Sequence, residues 1–494
     1  MRTVPSSIAR VLDIALADHP EREALVTRSR RFTYAELDAA ADRAANALRS
    51  IGVRPGDRVA ASLPNDADVV VAFHGAMRLG AVWLGINRGL AAPEKRFQLE
   101  DSGATLLLSD DDLPDLGTRQ VRLDEWRSAV AAALAAPIGV AVDPFAPAGI
   151  AYTSGTTGRP KGAVHSQHGL LAPGAVLVES RGYDAALRKG DCFPFTILNM
   201  AVLTTLLVAQ AGGCSIVMDR TDAEGVADWI RDERVTTFNG APALLHSLAS
   251  MASVTAADLV SLTEVWTGGA DCPEAIREAF AAKFGLPVLA TYGLTEAPTV
   301  VAIDPVSGPH VQGASGRPLP HLRVQIVDAA GRSLPAGDSG EICVSAAAGD
   351  NRYRPMLGYW QRPAATGEVL IDEVFHTGDI GFLDDAGNLH VRDRKSLVII
   401  RGGANVYPAE VERVLQEVPG VIAGAVFGLP DERLGERVVA VLECDGGTID
   451  LDTVRSHCAE NLAKYKIPER FTVVPSLPRN AMGKIMRTEL LGLL

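Results

Sequence analysis

The chain has 494 residues, 47% of them hydrophobic and 22% charged, proportions that exclude disorder as its dominant state. Its 47 Lys and Arg against 60 Asp and Glu leave a net charge of −13. That balance argues against a nucleic-acid or anionic-membrane role driven by bulk charge, and an anionic substrate must be held by local donors against the overall field.

At roughly 100–200 residues per domain, the length implies two to four domains. The opening stretch MRTVPSSIARVLDIALADHPERE is charged throughout and lacks the apolar core of a secretory signal. Apolar spacing predicts helices over Pro5–Ala17 and Thr33–Ile51, the second with Thr33 and Glu36 placed as a capping box. Strands are then expected at Asp57–Leu63, Ala81–Gly85 and Thr105–Leu108, alternating with helices at Ala67–Leu79 and Pro93–Ser102. Ala129–Ala136 reads as the tail of a surface helix. The alternation resumes with Ser215–Met218, Ala223–Glu233, Thr236–Phe238 and Ala241–Ser250, the pattern of an α/β domain with a parallel sheet. Ala201–Gly213 is the most apolar run, too short to span a bilayer. From about Gly313, short alternating strands at Val324–Asp328, Gly340–Val344 and Asn388–Val391 suggest an antiparallel β subdomain. Beyond Arg394, helices at Pro408–Val418 and Leu451–Leu462 with strands at Val421–Leu429 and Arg437–Cys444 make a compact α+β unit. Cys192, Cys214, Cys272, Cys343, Cys444 and Cys458 show no metal or disulfide spacing, so they read as small apolar filler in a reducing, cytoplasmic setting.

One loop stands out: Tyr152-Thr153-Ser154-Gly155-Thr156-Thr157-Gly158-Arg159-Pro160-Lys161-Gly162, entered from a β-like run Ile150–Tyr152. Its glycines let backbone N–H groups approach an anion, and its hydroxyls and Lys161 add donors without any acid. That composition suits a polyphosphate. Gly158 is not followed by Lys-Ser/Thr, so the loop fails the Walker pattern of P-loop kinases and ATPases.

The loop resembles the phosphate-binding signature of the adenylate-forming superfamily, which comprises acyl- and aryl-CoA synthetases, peptide-synthetase adenylation domains and beetle luciferases. Further motifs follow in that family's order: Gly268-Gly269-Ala270, Tyr292-Gly293-Leu294-Thr295-Glu296, Gly358-Tyr359-Trp360, His376-Thr377-Gly378-Asp379, Arg394, Gly402–Pro408 with Glu410, and Pro478–Lys484. The resemblance covers nearly the whole chain. It implies a large N-terminal adenylate-forming domain, residues 1–393, of two α/β subdomains and a β-barrel-like subdomain. A small mobile α+β domain, residues 394–494, would carry the catalytic lysine.

The resemblance also implies roles. Thr153, Ser154, Gly155, Thr156, Thr157, Gly158 and Lys161 would cradle the β- and γ-phosphates of ATP, with Gly269, Ala270 and Gly293 also at the nucleotide. Thr295 would contact the α-phosphate and Glu296 would hold Mg²⁺. Tyr292 would stack on adenine, while Asp379 and Arg394 would bind the ribose. Lys484 would bridge the carboxylate and the α-phosphate as the bond forms. Arg401, Gly402 and Gly403 would line a CoA tunnel once the small domain turns about Ser396. There the family's usual acid or lysine is a serine, and the adjacent acid is Leu397. Ile197, Asn199, Met200, Trp266, Gly268 and Leu294 would wall the acyl pocket, with Thr267, Ala290 and Asn239 near them; the histidine customary in the family's segment is missing from Phe193–Met200. No aspartate lies between Phe193 and Met218 to pair an amino-acid ammonium group, so a fatty, alicyclic or aromatic acid is expected.

The resulting expectation is an ATP-dependent acid–thiol ligase working on a small-molecule carboxylic acid with ATP, Mg²⁺ and coenzyme A. A nucleic-acid partner and a membrane span are not expected, and the sequence leaves a homodimer open. Two alternatives stay open from sequence: an acyl-AMP ligase loading a carrier protein, and a homologue that binds nucleotide or acyl groups without turnover.

Overall fold

The computed structural model of the protein describes residues 7–111, 117–153, 160–268, 272–307, 310–401, 404–431, 433–447, 449–480 and 484–493. Two mixed sheets form its larger part. In the first, of nine strands, six run parallel in the order Val288–Tyr292, Glu264–Gly268, Thr237–Asn239, Arg188–Asp191, Cys214–Val217, Glu23–Val26, and antiparallel strands close both edges. In the second, Val82–Gly85, Arg58–Ser62, Leu106–Ser109 and Arg119–Arg122 are parallel to Pro147–Thr153. Pro147–Thr153 then pairs antiparallel with Lys161–Ser166, which pairs in turn with Gly358–Tyr359.

The helices between these strands form where the pattern predicts them. Thr33 Oγ1 accepts the Glu36 N–H while the Glu36 carboxylate accepts the Thr33 N–H, starting the helix Tyr34–Ile51. That helix buries Leu37, Ala44 and Leu48 against Ala67–Leu79. The contact is close because it uses small residues: a Cβ on Gly75 would stand 2.5 Å from the Ala44 Cβ.

The first expected helix is broken. Ile8–Arg10 is a 3₁₀ turn and Asp13–Asp18 a separate helix, because Gln167 Oε1 takes the N–H groups of Ile8 and Ala9 and pins the segment to a distant helix. Residues 1–6 lie outside the described residues. The apolar run after Met200 is a buried helical segment that widens to π geometry over Ala201–Leu206, a feature common beside functional sites. The helix expected to tail through Ala136 ends at Ala132.

A third, antiparallel sheet holds Leu322–Val327, Gly340–Ala346, Val374–Leu383, Leu370–Ile371 and Leu389–Arg394. The barrel-like expectation takes the form of an open pairing path. A fourth sheet lies wholly beyond Arg394: Ala404–Val406, Ile399–Arg401, Gly435–Cys444, Val421–Asp431 and Arg470–Val474. The helices Pro408–Gln416 and Leu451–Asn461 bury Val411, Leu415, Val454 and Cys458 on it, giving a core of its own. All six cysteines are free, five of them buried. Among the described residues no helix is long and apolar enough to cross a membrane.

Candidate functional site

The motif residues converge on a cleft of about 3250 Å³, far larger than the few hundred Å³ of an ordinary small-ligand pocket. It opens at the carboxyl ends of parallel strands, where α/β sheets place their ligands. Thr153 and Lys161 face each other across an antiparallel pair of strands, so the phosphate-loop signature is entered and left by neighbouring strands of one sheet. Ser154, Gly155, Thr156, Thr157 and Gly158 lie outside the described residues, as do Gly269, Ala270, Gly402 and Gly403.

The turn after strand Val288–Tyr292 brings up Gly293, Leu294, Thr295 and Glu296. A Cβ on Gly293 would stand 1.6 Å from the Thr299 carbonyl oxygen, so only glycine fits there. The Tyr292 hydroxyl donates to Asp379 Oδ2 at 2.7 Å. Its ring lines the cleft. Arg394 sits opposite Asp379 in the ladder and places Nε 3.3 Å from Oδ1. Burial pushes the Asp379 carboxyl above its ordinary range, opposed by Arg394, Tyr292 and Lys484.

Lys484 arrives from the far end of the chain, bonded to Asn480. Its N–H donates to Asn480 Oδ1 at 3.0 Å, and its carbonyl accepts the Asn480 N–H at 2.9 Å. The side chain reaches solvent through the cleft but stands within the electrostatic range of Asp379 and Arg394. Burial and then Arg394 push its ammonium below the ordinary lysine value, with Asp379 opposing. Tail and cleft therefore meet in this arrangement.

Glu296 accepts the Tyr359 hydroxyl at Oε1, 2.9 Å away. No cluster of three or more His, Cys, Asp or Glu residues suited to a metal occurs among the described residues. A divalent ion here would have to share Glu296 with phosphate oxygens of a bound nucleotide. This hard-oxygen set, one carboxylate with substrate phosphates, fits Mg²⁺.

Other expectations need correction. Trp266 does not wall an acyl pocket: it is 2% exposed, its indole N–H donates to Glu264, and Arg181 and Lys189 flank its ring. The alternation of the strand turns it to the sheet face opposite Thr267, which does line the cleft. Met200 is likewise buried within the helical packing, at 3% exposure, while Ile197, Leu198, Asn199, Ala290 and Leu294 line the cleft. Gly268 has no room for a side chain, since a Cβ would come 2.1 Å from Thr291 Oγ1. Asn239 is buried at the end of its strand. Arg401 is held inside the C-terminal sheet, donating to the Tyr465 carbonyl and pairing with Glu469, and is not brought to the cleft. Ser396 lies in a 3₁₀ turn, Lys395–Leu397, joining the third and fourth sheets.

The sequence reading passed over Tyr359 and Asp393. Tyr359 carried a signal in its motif, beside Trp360, whose indole N–H donates to the Asp101 carbonyl at 3.1 Å. Asp393 precedes the motif arginine, and its Oδ2 accepts the Ala409 N–H at 2.8 Å across the junction.

Residues 12–360 match the family model described as AMP-binding enzyme, and residues 410–484 match that of the AMP-binding enzyme C-terminal domain. The chain is 38% identical over 472 residues to a feruloyl-CoA synthase from an Amycolatopsis species, covering 93% of each chain. It is 34% identical over 481 residues to the long-chain-fatty-acid–CoA ligase FadD13 of Mycobacterium tuberculosis, covering 93% of this chain and 92% of that one. The crystal structure of ATP-bound MatB from Rhodopseudomonas palustris superimposes with a TM-score of 0.90 at 30% identity, over 98% of both chains.

Proposed function

The chain belongs to the AMP-binding enzyme family, and from that premise we propose that it is an acid–thiol ligase joining a carboxylic acid to coenzyme A through an acyl adenylate. A carboxylate resists thiols because oxide is a poor leaving group. Its attack on the α-phosphorus of ATP expels pyrophosphate and forms an acyl adenylate, from which a thiol then displaces AMP to give acyl-CoA.

The observation that carries this reading is the meeting of Lys484 with the Asp379–Arg394 pair in a cleft that also holds Lys161, Thr295 and Glu296. In this reading Lys161 and the loop residues before it hold the β- and γ-phosphates, and Thr295 faces the α-phosphate. Asp379 and Arg394 position the ribose, and Tyr292 lies along the base. Lys484 offsets the charge that gathers between carboxylate and α-phosphate, a position where a fixed cation acts most strongly. Mg²⁺, bound through Glu296, would neutralise charge on the phosphates. We place the boundary of the moving domain at residues 393/394, and the hinge at Lys395–Leu397.

The acid is best read as a hydrophobic one. Support comes from the apolar cleft residues Ile197, Leu198, Ala290 and Leu294 with Asn199 as a polar handle, and from relatives named for a long-chain fatty acid and for ferulate. A cytoplasmic setting is supported by six free cysteines. The test is pyrophosphate release across a panel of fatty, alicyclic and aromatic acids, with free CoA present. Acid-dependent release with acyl-CoA as product supports the reading. Acyl adenylate that transfers only to a phosphopantetheinyl carrier overturns the choice of acceptor, and no release with any acid overturns the enzyme.

A further inference from the structure

The stretch Met356–Trp360 touches both halves of the phosphate site. Gly358 and Tyr359 pair with Val164 and Ala163, on the strand that leaves the phosphate loop, and the Trp360 N–H donates to the Gly162 carbonyl at 2.7 Å. On the other side, the Met356 N–H donates to the Glu296 carbonyl at 2.9 Å. The Tyr359 side chain repeats the connection. Its hydroxyl donates to Glu296 Oε1 at 2.9 Å, and the Lys161 ammonium lies 5.1 Å from its ring centroid.

Tyr359 is itself held from behind. Its N–H donates to Thr366 Oγ1 at 2.9 Å. Gly358 adopts φ +138°, where a Cβ would come 2.9 Å from the Thr366 methyl. These contacts fix the backbone that carries the ring.

We propose that Tyr359 is a positioning residue for adenylation: its hydroxyl orients the Glu296 carboxylate toward the metal of metal–ATP, and its ring face seats the Lys161 ammonium for the terminal phosphates. The inference rests on the ligase reading for its purpose but not for its test. The two contacts are chemically separable. A phenol hydrogen bond fixes a carboxylate as an outer partner fixes a metal ligand, a loss that typically weakens metal binding by about 10- to 100-fold. A cation over an aromatic face depends on the ring alone.

The experiment titrates Mn²⁺ into the full-length protein with ATP, following free Mn²⁺ by electron paramagnetic resonance. ATP binding without metal is measured by calorimetry. Tyr359→Phe should hold Mn²⁺ about tenfold more weakly in the ATP complex and bind metal-free ATP within about twofold of the parent, since the ring remains. Tyr359→Leu should weaken both. Unchanged Mn²⁺ affinity in Tyr359→Phe overturns the role of the hydroxyl; unchanged metal-free ATP affinity in Tyr359→Leu overturns that of the ring. Should Tyr359→Leu fail to fold, Tyr359→Phe, nearly equal in volume, still decides the role of the hydroxyl through the Mn²⁺ arm. Binding is read here and not turnover, so an acid panel yielding no pyrophosphate would overturn the ligase reading and leave this result standing.

Discussion

At Lys484 two demands oppose each other: the ammonium must be charged to act, yet burial and Arg394 favour its neutral form. Because its proton is lost at lower pH than from a free lysine, adenylation should fall on the alkaline side before ordinary lysines titrate. A pH profile of pyrophosphate release checks this. Lys484→Arg, always protonated, should lose that alkaline limb; a limb that stays in place assigns it to another group. Trp266 and Thr267 show what was illegible at this scale. Both stand just before the glycines, and both read as pocket wall. The period-two alternation puts one in the core beside Glu264 and the other on the cleft. Which face was inward depended on neighbouring strands that a single run of residues does not reveal.

Elements with strong local signals were legible nearly to the residue. Ala67–Leu79 and Ala223–Glu233 form where their spacing and caps put them. Elements set by distant partners were not, as the Gln167 bonds to Ile8 and Ala9 illustrate. The junction between the third and fourth sheets is of the second kind. There the buried Asp393 carboxylate accepts N–H groups from Arg394 at 2.7 Å and from Ala409 in the first turn of helix Pro408–Gln416. A charged acceptor at a helix N-terminus contributes about 0.5–2 kcal/mol. This bond spans Lys395–Leu397, the hinge proposed above, so in that reading it belongs to the pose that carries out adenylation. Asp393→Asn should slow adenylation several-fold by that estimate and spare transfer from preformed acyl adenylate; separate assays of the two steps check it, and equal losses in both would contradict it. The small domain's own core predicts a further outcome. Leu415 is fully buried there, and Leu415→Ala should cost about 2–5 kcal/mol, seen in urea denaturation as a lowered midpoint for that domain.

Across the whole molecule, three sheets before Arg394 build a cleft, and a fourth sheet after it delivers a cation from the end of the chain. The order of motifs made a large N-terminal and a small C-terminal domain legible without any structure. The placement of Arg401 did not follow from that order: here it is tied to Glu469 within its own sheet, while Lys484 occupies the cleft. In the proposed reading Lys484 serves adenylation and the Arg401 loop serves thiol transfer, so the chain presents them in turn, and this arrangement presents the first. The measurement that tests the account most directly compares the two half-reactions in Lys484→Ala. Pyrophosphate release should drop by about 3 kcal/mol of transition-state stabilisation or more, over a hundredfold, while CoA transfer from synthetic acyl adenylate persists near the parent rate. Release that stays near the parent rate, or a loss shared equally by both steps, would contradict it.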